Sequence, residues 1–167
     1  MFVVGQASDL VSEYALTTGF DVSTASFTDS LDVSGQDGNP RGVVFNTDGT
    51  KMFIVGAIPP ASVFEYALTT GFDISTATFT DSFNVSGQET QPDGLAFNAA
   101  GTKMFVVGST GDDVGEYALT TGFDVSTASF TDSFSVSAQD TSPKDIAFNT
   151  DGTKMFITGT SGGDVGE

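Results

Sequence analysis

The chain has 167 residues with 20 Gly, 16 Phe and no Trp, a composition that points to repetition rather than a mixed globular core. Five Lys and Arg stand against 22 Asp and Glu, and the formal charge of -17 repels a phosphate backbone, which argues against nucleic acid and anionic membrane as partners. There is no Cys and no His, so thiolate nucleophiles, imidazole bases and the usual zinc ligands are absent.

The acidic balance reads first as a solvated surface. No apolar run approaches the roughly 20 residues needed to span a bilayer, and no basic region followed by an apolar core opens the chain. The absent leader carries little weight, because Met1 aligns with repeated methionines further on. The pentapeptide MFVVG at Met1 returns as MFIVG at Met52, MFVVG at Met104 and MFITG at Met155, at spacings of 51, 52 and 51 residues. The same register carries Glu13, Glu65, Glu116 and Glu167, then Tyr14, Tyr66 and Tyr117, then Pro40, Pro92 and Pro143. One domain over 1–167 is expected, divided into repeats 1–51, 52–103 and 104–154 and a partial repeat 155–167. Solenoid coils are usually shorter than this, whereas propeller blades run to about 40 to 50 residues.

Within a repeat the first expected strand, A, covers 42–46, 94–98 and 145–149 (GVVFN, GLAFN, DIAFN). Strand B begins at Lys51, Lys103 and Lys154 and runs through the MF(V/I)(V/T)G segment. Between them stands N-T-D-G-T, or N-A-A-G-T in the second copy, and Gly49, Gly101 and Gly152 are expected to supply the positive φ of a tight hairpin. A calcium loop is the sharper reading of N-x-D-G, but Ala100 replaces the acid found at Asp48 and Asp151, and keeping the Gly while losing the acid favours a turn.

Strand C (SEYALT, FEYALT, GEYALT) alternates Tyr and Leu against Glu and Ala. Strand D (FTDSLDV, FTDSFNV, FTDSFSV) is expected to place Phe27, Asp29, Leu31 and Val33 on one side, as well as Phe79, Asp81, Phe83 and Val85 in the next copy. The repeated acid then needs a nearby Ser, Thr or backbone N–H as partner. Neither B nor D shows a clean polar face, so both faces of each sheet should be covered. Sheets repeated radially achieve that and leave only short edges.

The string P-x-G-[LV]-[AV]-F-N-x-x-G-T-K-M-F-[IV]-V-G, at Pro40 to Gly56 and Pro92 to Gly108, resembles the repeats of YVTN/NHL-like β-propellers; the third copy departs by having Asp145 for the Gly. The resemblance implies an all-β propeller of four-stranded antiparallel blades and is almost silent on function, because that class includes surface-layer, scaffold and ligand-binding proteins as well as enzymes.

The A–B and C–D turns should share one rim and the B–C and D–A loops the other. The first rim is nearly uniform among the copies and the second is not, which makes the second the candidate recognition surface: Asp9, Arg41, Ile58, Pro59, Asp93, Asp112, Asp113 and Lys144. Neutral drift of exposed loops is the competing account. The leading functional reading is a non-enzymatic module that binds a glycan, a protein or a surface, as part of an extracellular or virion-associated repeat protein, with no catalytic residue, no metal and no cofactor. The alternatives are a propeller hydrolase or lyase using carboxylates and a metal, and a purely architectural spacer. The chain is expected to be a fragment of a longer array and to associate with itself, most simply as a homodimer closing a ring. Six blades result if the partner's strand A completes the N-terminal blade and displaces the tail from Met155, and eight if the tail keeps its own hairpin.

Overall fold

A computed structural model of the chain describes residues 1–161 and 165–166. It is built from antiparallel sheets in sequence order. The first holds β1 (Phe2–Gly5), β2 (Leu10–Leu16) and β3 (Ala25–Asp32), and the second holds β4 (Pro40–Phe45), β5 (Lys51–Gly56), β6 (Ser62–Leu68) and β7 (Ala77–Asn84). The third holds β8 (Pro92–Phe97), β9 (Lys103–Gly108), β10 (Asp113–Leu119) and β11 (Ala128–Ser135), and the fourth holds β12 (Pro143–Phe148), β13 (Met155–Gly159) and β14 (Val165–Gly166). Each sheet is a blade whose strands follow one another in chain order, and β4, β8 and β12 pack side by side as the inner strands. The chain is an all-β propeller segment of four-stranded antiparallel blades, its first blade having strands B to D.

Strand A begins at the proline of each repeat, earlier than the expected 42, 94 and 145, and stops one residue sooner. Pro suits a strand's first position because it has no N–H to leave unpaired. The early stop comes from Asn46, whose Oδ1 accepts from the Lys51 N–H at 2.9 Å and draws the residue into the hairpin. Gly49, Gly101 and Gly152 have φ of 73°, 68° and 70°, as the turn requires. The Asp48 carboxylate accepts from the N–H (3.0 Å) and hydroxyl (2.6 Å) of Thr50, and Asp151 does the same with Thr153, so the acid serves the turn itself.

Strand D corrects the expected alternation. A bulge opposite Glu13/Tyr14 pairs Asp29 with Glu13 but Phe27 with Tyr14, and adjacent residues of β2 point to opposite faces. Phe27 therefore lies on the Tyr14 face, with ring centroids 5.9 Å apart, while Asp29 and Leu31 lie on the other; the second and third complete copies repeat the shift. The strand acid does find a backbone donor: the Ser30, Ser82 and Ser133 N–H groups donate to Asp29, Asp81 and Asp132 at 2.7, 2.7 and 2.8 Å.

The long C–D turn contains a short 3-10 helix not read from the sequence, at Val22–Thr24, Ile74–Thr76 and Val125–Thr127. Asp21, Asp73 and Asp124 cap it by accepting from the N–H two residues on. This turn joins consecutive blades. Glu13 accepts from the Ile74 N–H at 3.1 Å and Glu65 from the Val125 N–H at 3.0 Å, each from the blade before, while the Lys51 ammonium bridges Glu65 and the Phe123 carbonyl, both at 2.6 Å. Ile74 and Val125 are fully buried in the cores between blades. A phenylalanine pair marks every step: Phe2 with Phe45, Phe53 with Phe97 and Phe105 with Phe148, at 4.4, 4.5 and 4.5 Å. Both faces of the second blade are covered, and nearly all of β5 and β6 is buried.

Candidate functional site

The inner strands approach one another at glycines. A Cβ on Gly42 would lie 3.1 Å from the Asp93 carbonyl oxygen, and one on Gly94 would lie 2.7 Å from the Asp145 Cα. That close approach brings the residue after each proline together across three blades. The Asp93 carboxylate, only 8% exposed, accepts from Arg41 Nη1 at 2.6 Å through one oxygen and from Lys144 Nζ at 2.8 Å through the other. Arg41 Nη2 also donates to Gln91 at 2.9 Å, and its buried Nε–H has no acceptor among the described residues. Burying Asp93 is tolerable because both of its oxygens meet cations; removing either partner would leave charge uncompensated.

A cleft of about 300 Å³ opens on this cluster, lined by Arg41, Asp93, Lys144 and Asp145 and floored by Phe2, Val4, Val43, Val44 and Leu95. Two of the chain's five cations stand in it. Asp145 takes the Ile146 N–H on Oδ1 at 2.9 Å, and its Oδ2 has no partner among the described residues. Chemically the cleft offers a carboxylate with a free oxygen, one guanidinium and one ammonium group held in place by a second carboxylate, and an apolar floor.

Of the sequence-derived rim residues, the fold thus gathers Arg41, Asp93 and Lys144. Asp9, Ile58, Pro59, Asp112 and Asp113 lie in or beside the B–C loops and do not line the cleft. Asp9 and Asp112 hold positive φ (55° and 51°), and their carbonyls accept from Val33 and Val136 at 2.9 Å, which ties the loop to the end of strand D. The Ile58 side chain is exposed, its N–H bonded to Asp37 at 3.0 Å; Pro59 is joined to Pro60 by a cis bond; Asp113 opens β10 opposite Ser135.

Asp37, Glu89 and Asp140, which sequence reasoning passed over, are buried and join the two loops of this rim. Asp37 accepts from Asn39 and Ile58, Glu89 from Gln91, Thr110 and Gly111, and Asp140 from Ser142 and Ser161. Burial pushes the Asp37 carboxyl above its ordinary value despite those donors and the nearby Arg41 charge. The recurring Gln-Asp or Gln-Glu before each strand A was the available signal. Asp145 was also visible as the one departure from glycine on the inner strand, and its meaning depended on the cleft.

The donor set does not suit a divalent metal. Among the described residues no three acids converge, and both oxygens of Asp93 are engaged by cations.

No protein-family model and no curated protein sequence matches the chain. Solved structures similar to it are β-propellers. A periplasmic gluconolactonase of Pseudomonas aeruginosa matches 95% of this chain and 43% of its own at 18% identity with a TM-score of 0.59. A Bacteroides fragilis protein assigned as a 6-phosphogluconolactonase matches 81% and 35% at 12% identity with a TM-score of 0.57. A luciferin-regenerating enzyme matches 89% and 44% at 18% identity with a TM-score of 0.55. The chain spans well under half the length of each, and at these identities the likeness is one of fold. It corrects the leading functional reading nonetheless: similar propellers include lactonases, which fits the hydrolase alternative better than a non-enzymatic module and removes the ground for expecting no enzyme.

Proposed function

We propose that the chain carries the site of a hydrolase-like propeller acting on small esters or lactones at the axial cleft. The observation that carries this is Asp145: where the other inner strands have glycine, the third places a carboxylate with a free oxygen beside Arg41 and Lys144. The names of the similar propellers supply the substrate class. Within propellers, the repeat string supports YVTN/NHL-like kinship.

In this reading Asp145 Oδ2 takes a proton from a water molecule as the water oxygen attacks the substrate carbonyl carbon. Arg41 and Lys144 stabilise the negative charge that grows on the carbonyl oxygen, and Asp93 positions both cations. The ring C–O bond then breaks, the proton held by Asp145 passes to the departing oxygen, and a hydroxy acid leaves. The apolar floor of Val44 and Leu95 packs against the substrate's carbon skeleton.

Proton release from sugar δ-lactones, with and without a phosphate, and from phenyl acetate tests the proposal. Asp145→Asn is expected to lower kcat by about 100-fold or more, the usual worth of a general base, without loss of fold by circular dichroism. Lys144→Gln should act on both kcat and KM. Rates at the uncatalysed level on every substrate, or an unchanged rate in Asp145→Asn, would overturn it.

A further inference from the structure

Two blade steps share a contact in which a strand C glutamate accepts the N–H of the following blade's 3-10 turn and the turn's Ile or Val fills the core behind it; between the second and third blades the strand B lysine Lys51 also reaches that turn's phenylalanine carbonyl. One set of these groups is unused at each end of the molecule. On the third blade, Lys103 and Glu116 pair with each other at 2.7 Å, but Glu116 Oε2 accepts nothing among the described residues. Beside them lies a cleft of about 310 Å³ lined by Phe105, Val114, Phe134, Phe148 and Met155. The equivalent space between the second and third blades is filled by Val125. On the first blade the matching turn is bare: Val22 is 70% exposed where Ile74 and Val125 are fully buried, and Phe20 is fully exposed.

A second pair of unused groups agrees with the first. Phe72 and Phe123 lie over the hairpin glycines Gly49 and Gly101 of their own blades, with the Phe N–H bonded to the glycine carbonyl at 3.0 Å. Phe20 has no hairpin beneath it in this chain, and nothing lies within 4 Å of a Cβ built on Gly152.

The geometry points to a second copy of this chain as the occupant: the Phe20–Val22 turn of one copy docks in the Lys103–Glu116 notch of the other, with Phe20 over the partner's Gly152 and the partner's β12 supplying the strand A that the first blade lacks. Two copies each give and receive this contact, so both ends are satisfied by a two-fold closed ring. The register of Met1 with Met155 means that β1 of the incoming copy takes the place of β13, which makes six blades, not eight. The charge pattern fits, since the notch offers a carboxylate and an ammonium and the turn offers an N–H and a carbonyl.

Closure also completes the axis. The partner's Lys144 and Asp145 would stand next to Arg41, giving the order Lys144, Arg41, Asp93 twice around the ring. The closing step carries Asp145 where the inner steps have Gly42 and Gly94, so the two copies meet less tightly there than blades within one copy do.

Light scattering and disulfide capture test this without relying on activity. The wild-type chain is expected at twice the mass of its 17.2 kDa monomer at micromolar concentration, and deletion of 155–167 should leave the dimer intact. Val22→Asp should shift the chain to monomer with an unchanged strand signal in circular dichroism. In this cysteine-free background, Phe20→Cys and Gly152→Cys chains mixed under mild oxidation should form a covalent heterodimer, while a Thr47→Cys control in place of Phe20→Cys should not. A monomer throughout this range overturns the proposal and leaves a further repeat of a longer polypeptide as the occupant. A dimer that survives Val22→Asp and resists the Phe20–Gly152 cross-link overturns it in favour of another face, and a dimer lost on deleting 155–167 overturns the six-bladed register.

Discussion

At the scale of single residues, the repeats allow one position to be compared in different surroundings. Gly101 and Gly152 share a positive φ, but a Cβ on Gly101 would run into the Phe123 ring whereas one on Gly152 meets nothing within 4 Å. In the Val22→Asp background, where no partner's Phe20 covers Gly152, Gly101→Val should therefore destabilise by more than about 1 kcal/mol, combining backbone strain with overlap, and Gly152→Val should cost less because strain acts alone. Asp48→Ala should be milder than Gly101→Val, since Ala100 already occupies the equivalent place in a formed turn. Denaturant midpoints of the three variants measure the order, and equal losses at Gly101 and Gly152 would mean that the aromatic cover adds nothing. The same comparison explains why the strand acids were legible from the sequence and the loop acids were not. Asp29 and Asp81 stood out as polar residues inside an apolar pattern. Asp37, Glu89 and Asp140 sat in polar loops, where only the fold shows that they are buried and staple one loop to another.

At the scale of the element, the hairpin turns differ in their dependence on pH. Hydrogen bonds from Thr50 and Thr153 hold the Asp48 and Asp151 carboxyls below the ordinary value of 3.8. A depressed folded value means that the ionised acid stabilises these turns above the unfolded value, and that this support is lost as pH falls through the folded one. The second turn has Ala100 and no such group. The Thr50 and Thr153 amide resonances should titrate at a pH below 3.8, while the Thr102 amide stays flat. A midpoint above 3.8 for Thr50 or Thr153 would contradict the bonding described here. The bulge in strand D is the element-level feature that pattern reading missed. Strict alternation assumes one residue for one, and Thr28, Thr80 and Thr131 each break that count, with Thr80 and Thr131 donating their hydroxyls to the Glu65 and Glu116 carbonyls.

For the whole molecule, charge sets the response to salt. The ion pairs among the described residues engage the acids Asp93, Glu65 and Glu116, out of 22 in the chain. The remaining field is mostly self-repulsion, and the Debye length shrinks from about 10 Å at 0.1 M to about 3 Å at 1 M salt. The melting temperature should climb with NaCl over that range. A falling trend would show that the buried Arg41–Asp93–Lys144 cluster and its relatives outweigh the surface charge.

The amino-acid sequence alone determined the repeat, the strand order within a blade, the glycine turns and the radial stacking of sheets. These follow from local chemistry: φ at Gly49, Gly101 and Gly152, the alternation in strand C, and strands B and D with no clean polar face to leave in water. Only the tertiary structure decided the candidate site. Arg41, Asp93 and Lys144 lie about 50 residues apart in sequence, and their equivalence between repeats says that they share a height, not that they touch. Contact came from Gly42 and Gly94, which let neighbouring backbones close to within reach of one carboxylate, and from the packing that buries that carboxylate until it must hold both cations.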